Sequence, residues 1–220
     1  MTSDELIAQF RSDADDNALP PLASNADVLI WLDEGQEEAC IRAKLIYEAS
    51  NAKVCNIAVV AGTSVYPVHA AVLDIMKATF TATDSTSPVE LVLTDRIELD
   101  RIKNGWRRVE EAPKYLVQDD TKVQFGCIPN VSGTLAIECY RLPLAKIEDA
   151  DKPEIGRAHH RHLVQWALHR AFSRPDTELF DAARSEKAFI AFERMFGKHP
   201  DANLRRSYSA NTPMHNKASW

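Results

Sequence analysis

The chain has 220 residues, a formal net charge of -6 and 45% hydrophobic residues, which suits one compact domain, or a small domain with arms, around a real core. The acidic balance disfavours nonspecific attachment to nucleic acid, and the scarcity of glycine, 7 residues in all, argues against glycine-rich phosphate loops. No apolar run nears the roughly 20 residues of a membrane span, and the opening MTSDELIAQF carries acids where an export signal would carry bases and an apolar core.

The first predicted helix covers about residues 3–17, with Ser3 as its cap and Leu6, Ile7 and Phe10 on one face. The prolines of ALPPLAS break it. A longer amphipathic helix follows over about 25–50, capped by Asn25. Val28, Leu32, Ala39, Ala43 and Ile46 fall on its core stripe, which Trp31 and Leu45 widen. Glu34, Glu37, Glu38 and Arg42 fall on its water face.

From about residue 52 to 142 the period becomes that of strands. KVCNIAVVAG, VLDIMKATFTA and PVELVLTD are β-rich, with the polar turn TDSTS between the last two. ELDRIKNGWRR predicts a short helix or turn stopped at Asn104-Gly105. KYLVQDD, KVQFGCIP and TLAIECYRLP are close enough in sequence to form an antiparallel meander, with Leu135, Ile137 and Cys139 on one face of the last strand. After the linker LPLAKIEDADKP, two helices are expected over about 153–173 and 175–197. Only SRPD separates them, so they form an antiparallel hairpin. The second draws its apolar stripe from Leu179, Ala183, Phe189, Ile190 and Phe196. Residues 198–220 lack a hydrophobic period, are mostly basic and end on Trp220, the composition of a flexible C-terminal arm.

This order of helices, strands and helices predicts an α+β fold: a helical bundle carrying an inserted small antiparallel β-sheet unit, with an extended C-terminal arm. Residues 1–197 would make one domain. Cys40, Cys55, Cys127 and Cys139 have no CxxC spacing and are expected to be reduced, buried thiols of a cytosolic protein.

Chemistry is sparse. EIGRAHHRHLVQWALHRAF places His159 and His162 on one helix face, with His169 and the apolar Ile155 and Trp166 on the same stripe, while His160 points elsewhere. A metal-dependent enzyme or metal-binding regulator could be built on His159 and His162, but no Asp or Glu stands between the histidines as in HExxH. The bland alternatives are a packing face or a pH-sensitive subunit contact. The acids Asp13, Asp15, Asp16, Asp119, Asp120, Glu148, Asp149 and Asp151 lie in turns or linkers, where solvation is the rule. Ser64 in AGTSVYP lacks the glycines of a nucleophile elbow. Two basic clusters with aromatic company, RIKNGWRR and LRRSYS, suit a protein interface or, against the overall charge, nucleic acid. No catalytic residue, metal or cofactor is expected.

The order of segments resembles the head-to-tail adaptor (head-completion, neck or connector) proteins of tailed bacteriophages. The similarity runs through NADVLIWLDEGQEEACIRAKLI with its central GQEE, then VYPV and VLDIMKATF. It continues in GWRRVEEAPKYLVQDDTKVQFGCIPNVSGTLAIECYRLP and in DKPEIGRAHHRHLVQWALHRAF. Ala112 before Pro113 and Gly156 after Ile155 depart from the family's usual glycine and proline. The resemblance covers about residues 26–197. It implies a structural virion protein, not an enzyme, made in the host bacterial cytoplasm and placed at the head-tail junction. It implies a ring of about twelve copies docked on the portal protein, with tail or nozzle proteins below and no membrane. Packaged DNA would pass through without sequence-specific binding. Residues 203–220 would grip the portal, with Arg205, Arg206, Tyr208 and Trp220 as the contacts.

Overall fold

A computed structural model describes residues 1–175 and 177–200. In chain order its helices are α1 (Ser3–Ala14), α2 (Asn25–Ala43), α3 (Ala52–Cys55), α4 (Arg96–Ile102), α5 (His160–Phe172) and α6 (Ala182–Phe196). Its strands are β1 (Ile46–Glu48), β2 (Asn56–Val59), β3 (Val65–Pro67), β4 (Val72–Ala82), β5 (Val89–Leu93), β6 (Glu110–Glu111), β7 (Tyr115–Gln118), β8 (Lys122–Phe125), β9 (Ile128–Pro129) and β10 (Gly133–Arg141). The fold is α+β, and the chain divides into two compact units. One joins Met1–Ile46 to Leu142–Pro200 and holds the long helices; the other contains the single segment Tyr47–Arg141.

In the helical unit, α1 opens with a capping box in which Thr2 and Glu5 satisfy each other's backbone N–H groups. Thr2, not Ser3, is therefore the cap; Ser3 is buried and donates to the Glu148 carbonyl at 2.9 Å. Likewise α2 is capped by Ser24, one residue before the expected Asn25. It buries Val28, Trp31, Leu32 and Ala39 as its apolar spacing requires, but ends at Ala43. Lys44 turns left-handed (φ 50°), and the β-branched and aromatic residues Ile46 and Tyr47 enter a strand where helix was expected. Gly35 sits on the buried face because a Cβ there would come within 2.9 Å of the Trp166 Cβ, so α2 and α5 approach as closely as backbone allows.

The α5–α6 pair is antiparallel. His159 and His162, at the start of α5, lie against Phe196 at the end of α6, while His169 reaches Ser185 near its beginning. The second helix starts at Ala182 rather than near Pro175, because Asp181 caps it, accepting from the Ala183 and Arg184 N–H groups at 3.0 Å. The predicted stripe is corrected with it. Ser185, Ala188, Phe192 and Phe196 face the core, and Ala183 and Ile190 face outward.

In the strand unit, the main sheet has the order β1-β10-β4-β5-β7-β8-β3, with β2 also beside β10. β10 pairs antiparallel with β2 and β4, as do β4 with β5, β7 with β8 and β3 with β8, while β5 joins β7 in parallel. The expected hairpin of β4 and β5 forms, as does that of β7 and β8. The expected third step of the meander does not. β10 leaves β8 and inserts between β4 and β2, because its long buried face, Leu135, Ile137 and Cys139, completes the core rather than an edge. Where β4 bends away from its neighbour, the Gln118 side chain takes over: its carbonyl accepts from Ile75 N–H at 2.8 Å and its amide donates to Leu73 O at 2.9 Å. The four cysteines are free and buried.

Candidate functional site

The histidine helix is the first place to look for chemistry, and its side chains are committed elsewhere. His160 is 4% exposed; its Nε2 lies 2.8 Å from the Ile155 carbonyl and its Nδ1 3.0 Å from the Met1 nitrogen. The rings of His159 and His162 pack on Phe196, with centroids 5.7 and 6.4 Å away. His169 packs between Trp166 and Phe189 and shares a 2.9 Å hydrogen bond with Ser185 Oγ. The stripe is thus the packing surface between α5 and α6. Among the described residues, no group of three or more His, Cys, Asp or Glu side chains is arranged to hold a metal ion.

Arg42 was expected on the water face of α2 and is instead the centre of that surface. Its side chain is 3% exposed, and its guanidinium lies 5.8, 5.4 and 5.4 Å from the rings of Trp166, Phe189 and Phe192. It donates to Glu38 at 2.7 Å and to the Gly197 carbonyl at the end of α6 at 3.0 Å. A cation surrounded by aromatic faces and held by a carboxylate joins three helices. The signal in the sequence was Glu38 four residues before Arg42. The aromatic partners come from two helices more than a hundred residues away, α5 and α6, beyond the reach of local pattern.

The cluster RIKNGWRR is neutralised by its own neighbourhood. Arg101 pairs with Glu98, Lys103 with Glu111 and Arg107 with Asp100. Just upstream, Arg96 grips Asp119 through two nitrogens at 2.5 Å. Trp106, the aromatic member of the cluster read as suiting a protein interface or nucleic acid, is fully buried against Leu99 and Val117, and its indole N–H donates to Asp100 at 2.8 Å. Gly105 makes the bend that turns it inward, at φ 72°. A backbone threaded by polyanion needs cations free to meet phosphate, and here only Arg108 lacks an acidic partner among the described residues.

The acids also have structural occupations. Asp16, 1% exposed, accepts from Leu22 N–H at 2.7 Å and Ala23 N–H at 3.1 Å and pairs with Arg11. The Asp119 carboxyl is held below the usual range by its hydrogen bonds from Arg96. The Cys139 thiol is pushed up to about 12 by burial and then by its neighbour Cys55, which keeps it protonated and unreactive. Ser64 contributes its carbonyl to Phe125 N–H at 2.8 Å. Five arginines of the helical unit have no carboxylate ion-pair partner among the described residues: Arg157, Arg161, Arg174, Arg184 and Arg194. Arg174 and Arg184 lie over the rings of Trp31 and Phe172, while Arg157, Arg161 and Arg194 lie where α5 begins and α6 ends. The predicted portal contacts Arg205, Arg206, Tyr208 and Trp220 lie outside the described residues.

With titratable groups spent on packing, pairing and caps, the arrangement is that of a scaffold. A family model described as SU10 adaptor protein matches residues 1–215. No curated protein matches the chain.

Proposed function

The chain belongs to the SU10 adaptor protein family of phage structural adaptors, and on that premise we propose that it is the virion subunit that joins the portal vertex to the tail. It acts by assembling around the exit of the capsid as a ring, about twelve copies in the reading its sequence suggests, and so extends the channel through which DNA leaves. Tail or nozzle proteins dock below. It performs no catalysis. Residues 203–220, with Arg205, Arg206, Tyr208 and Trp220, supply the portal grip.

The observation that carries this reading is the family match over almost the whole chain. The side-chain geometry supports it. The histidines, the buried tryptophan and the basic cluster that a catalytic or nucleic-acid reading would need are engaged inside the units. Pairing cations internally leaves little to hold DNA that must move. A terminal arm whose contacts form only on the portal would make assembly conditional on that partner, since ordering is charged against binding, and repeated copies would compensate through avidity.

The test is an immunoblot across a density gradient of a phage-producing lysate. The chain is expected with DNA-filled particles, and a chain lacking residues 203–220 is expected at the top of the gradient with soluble proteins. A full-length chain that never enters the particle fractions overturns the proposal.

A further inference from the structure

The helical unit exposes an apolar knob and, elsewhere, an apolar groove. The knob is the loop over residues 18–22, between α1 and α2. Leu19 is 96% exposed and Leu22 50%. The base of this loop is tied down by the buried Asp16 carboxylate, which accepts from the N–H groups of Leu22 and Ala23 and pairs with Arg11; Arg11 in turn donates to Asn25 at 2.8 Å. A fixed loop that holds a leucine in water loses little freedom when that leucine is buried by a partner. Just before the loop, Asp13 and Asp15 are exposed.

The groove is the outward face of α6, lined by Ala183, Glu186, Lys187, Ile190, Ala191 and Arg194. Ile190 is 46% exposed, and the small alanines leave room beside it. Lys187 and Arg194 flank the same edge of this stripe, Glu186 the other. Neither Lys187 nor Arg194 has an ion-pair partner among the described residues.

We propose that the groove on α6 receives the 18–22 loop of a second copy of this chain, Leu19 packing beside Ile190 and the acids Asp13 and Asp15 meeting Lys187 and Arg194. The charge match between an acid-flanked knob and a base-edged groove selects a second copy as the occupant. Because knob and groove are different surfaces, the contact is head-to-tail: each copy gives its loop to one neighbour and takes a loop from the other. Contacts of that kind close into rings, whereas a self-complementary patch stops at a pair. The inference rests on the ring reading above and deepens it by naming the two faces.

The test mixes two single-cysteine variants, Leu19→Cys and Ile190→Cys, with a short bis-maleimide. The native thiols are buried and do not compete in the folded chain. A cross-linked pair is expected from the mixture and from neither variant alone. Cross-linking within the Leu19→Cys sample by itself, or none in the mixture where wild-type chain self-associates, overturns the contact. As a second measure, Leu19→Asp and Ile190→Asp should each raise the concentration needed for self-association at least tenfold, and lower copy number on particles, with an unchanged melting temperature because both side chains are exposed. Wild-type rings alongside unimpaired variants would sink this contact alone. Wild-type chains found on particles only as isolated copies would sink the ring reading and this contact with it.

Discussion

The two units spend their arginines differently. In the strand unit Arg96, Arg101, Arg107 and Arg141 each meet a carboxylate, Asp119, Glu98, Asp100 and Glu48, and among the described residues Arg108 alone of its arginines does not. In the helical unit Arg11, Arg42 and Arg170 are paired, but Arg157, Arg161, Arg174, Arg184 and Arg194 have no carboxylate partner among the described residues. The difference runs against sequence density. The segment that concentrates bases also supplies the acids that silence them, within three to about 20 residues. Of the helical unit's unpaired bases, Arg161 of α5 and Arg194 of α6 come together because those helices are antiparallel, with Arg157 just before α5. A charge cluster in sequence is therefore a poor guide to a charged surface unless its local acids are counted too.

The comparison breaks most sharply at the centre of the helical unit. Phe192 is fully buried and touches Trp166, Phe196 and Arg42. Phe192→Ala should cost about 3–5 kcal/mol and separate thermal melting into a low helical step and a strand step near its wild-type position, read by far-ultraviolet circular dichroism. Arg42→Met should follow at about 3 kcal/mol, since the Glu38 carboxylate then loses its partner in a largely buried setting. Gly35→Ala drives a methyl into Trp166 and should cost about 2 kcal/mol. In contrast, Arg107→Ala, on an exposed pair in the strand unit, should fall within about 0.5 kcal/mol of wild type.

Much of this was legible where period and burial agree. The faces of α1, α2 and β10 follow from spacing alone, because an apolar residue every three to four or every two positions has only one place to go. The histidine stripe was legible as a packing face for the same reason. Its partner Phe196 was placed on the next helix, but the register between them was not, because the start of α6 depends on Asp181 as a cap rather than on Pro175. The expected stripe had also joined two faces: at helical spacing Ala183 and Ile190 lie opposite Phe192 and Phe196, so burying the phenylalanines leaves Ile190 in water. Nor could the sequence place β10 between β4 and β2: adjacency along the chain favours a hairpin with β8, and only the completed core reveals which pairing buries more. Trp106 was misplaced by its basic neighbours, and Arg42 by the acids around it. Arg42 found its aromatic partners across the fold, whereas Trp106 folded back onto Leu99 and Asp100 just before it, through a bend at Gly105 that its charged neighbours did not announce.

Acid sets the two units apart by the direction of its effect. The Glu48 carboxylate accepts from the backbone N–H groups of Ser50 and Asn51, both at 3.0 Å, and pairs with the nearly buried Arg141 at 3.1 Å. Those backbone donors first, then Ser50 Oγ and Arg141, hold it down at about 2 against an ordinary 4.5. The unfolded chain therefore takes up this proton before the folded one does. The stability Glu48 contributes is full above about pH 4.5 and is lost as pH falls toward 2, on the order of 2 kcal/mol. In the helical unit Glu37 is shifted the other way, raised by burial and then by Asp33, so its ionisation on raising the pH costs stability and acidification relieves that cost. Strand-unit stability should thus fall more steeply than helical-unit stability between pH 4.5 and 2, measured by urea unfolding at each pH with hydrogen exchange to separate the units. Glu48→Gln should flatten the strand-unit slope while leaving the helical one in place. An unchanged slope in that variant would mean that other carboxylates, Asp119 first among them, carry the acid sensitivity of the sheet.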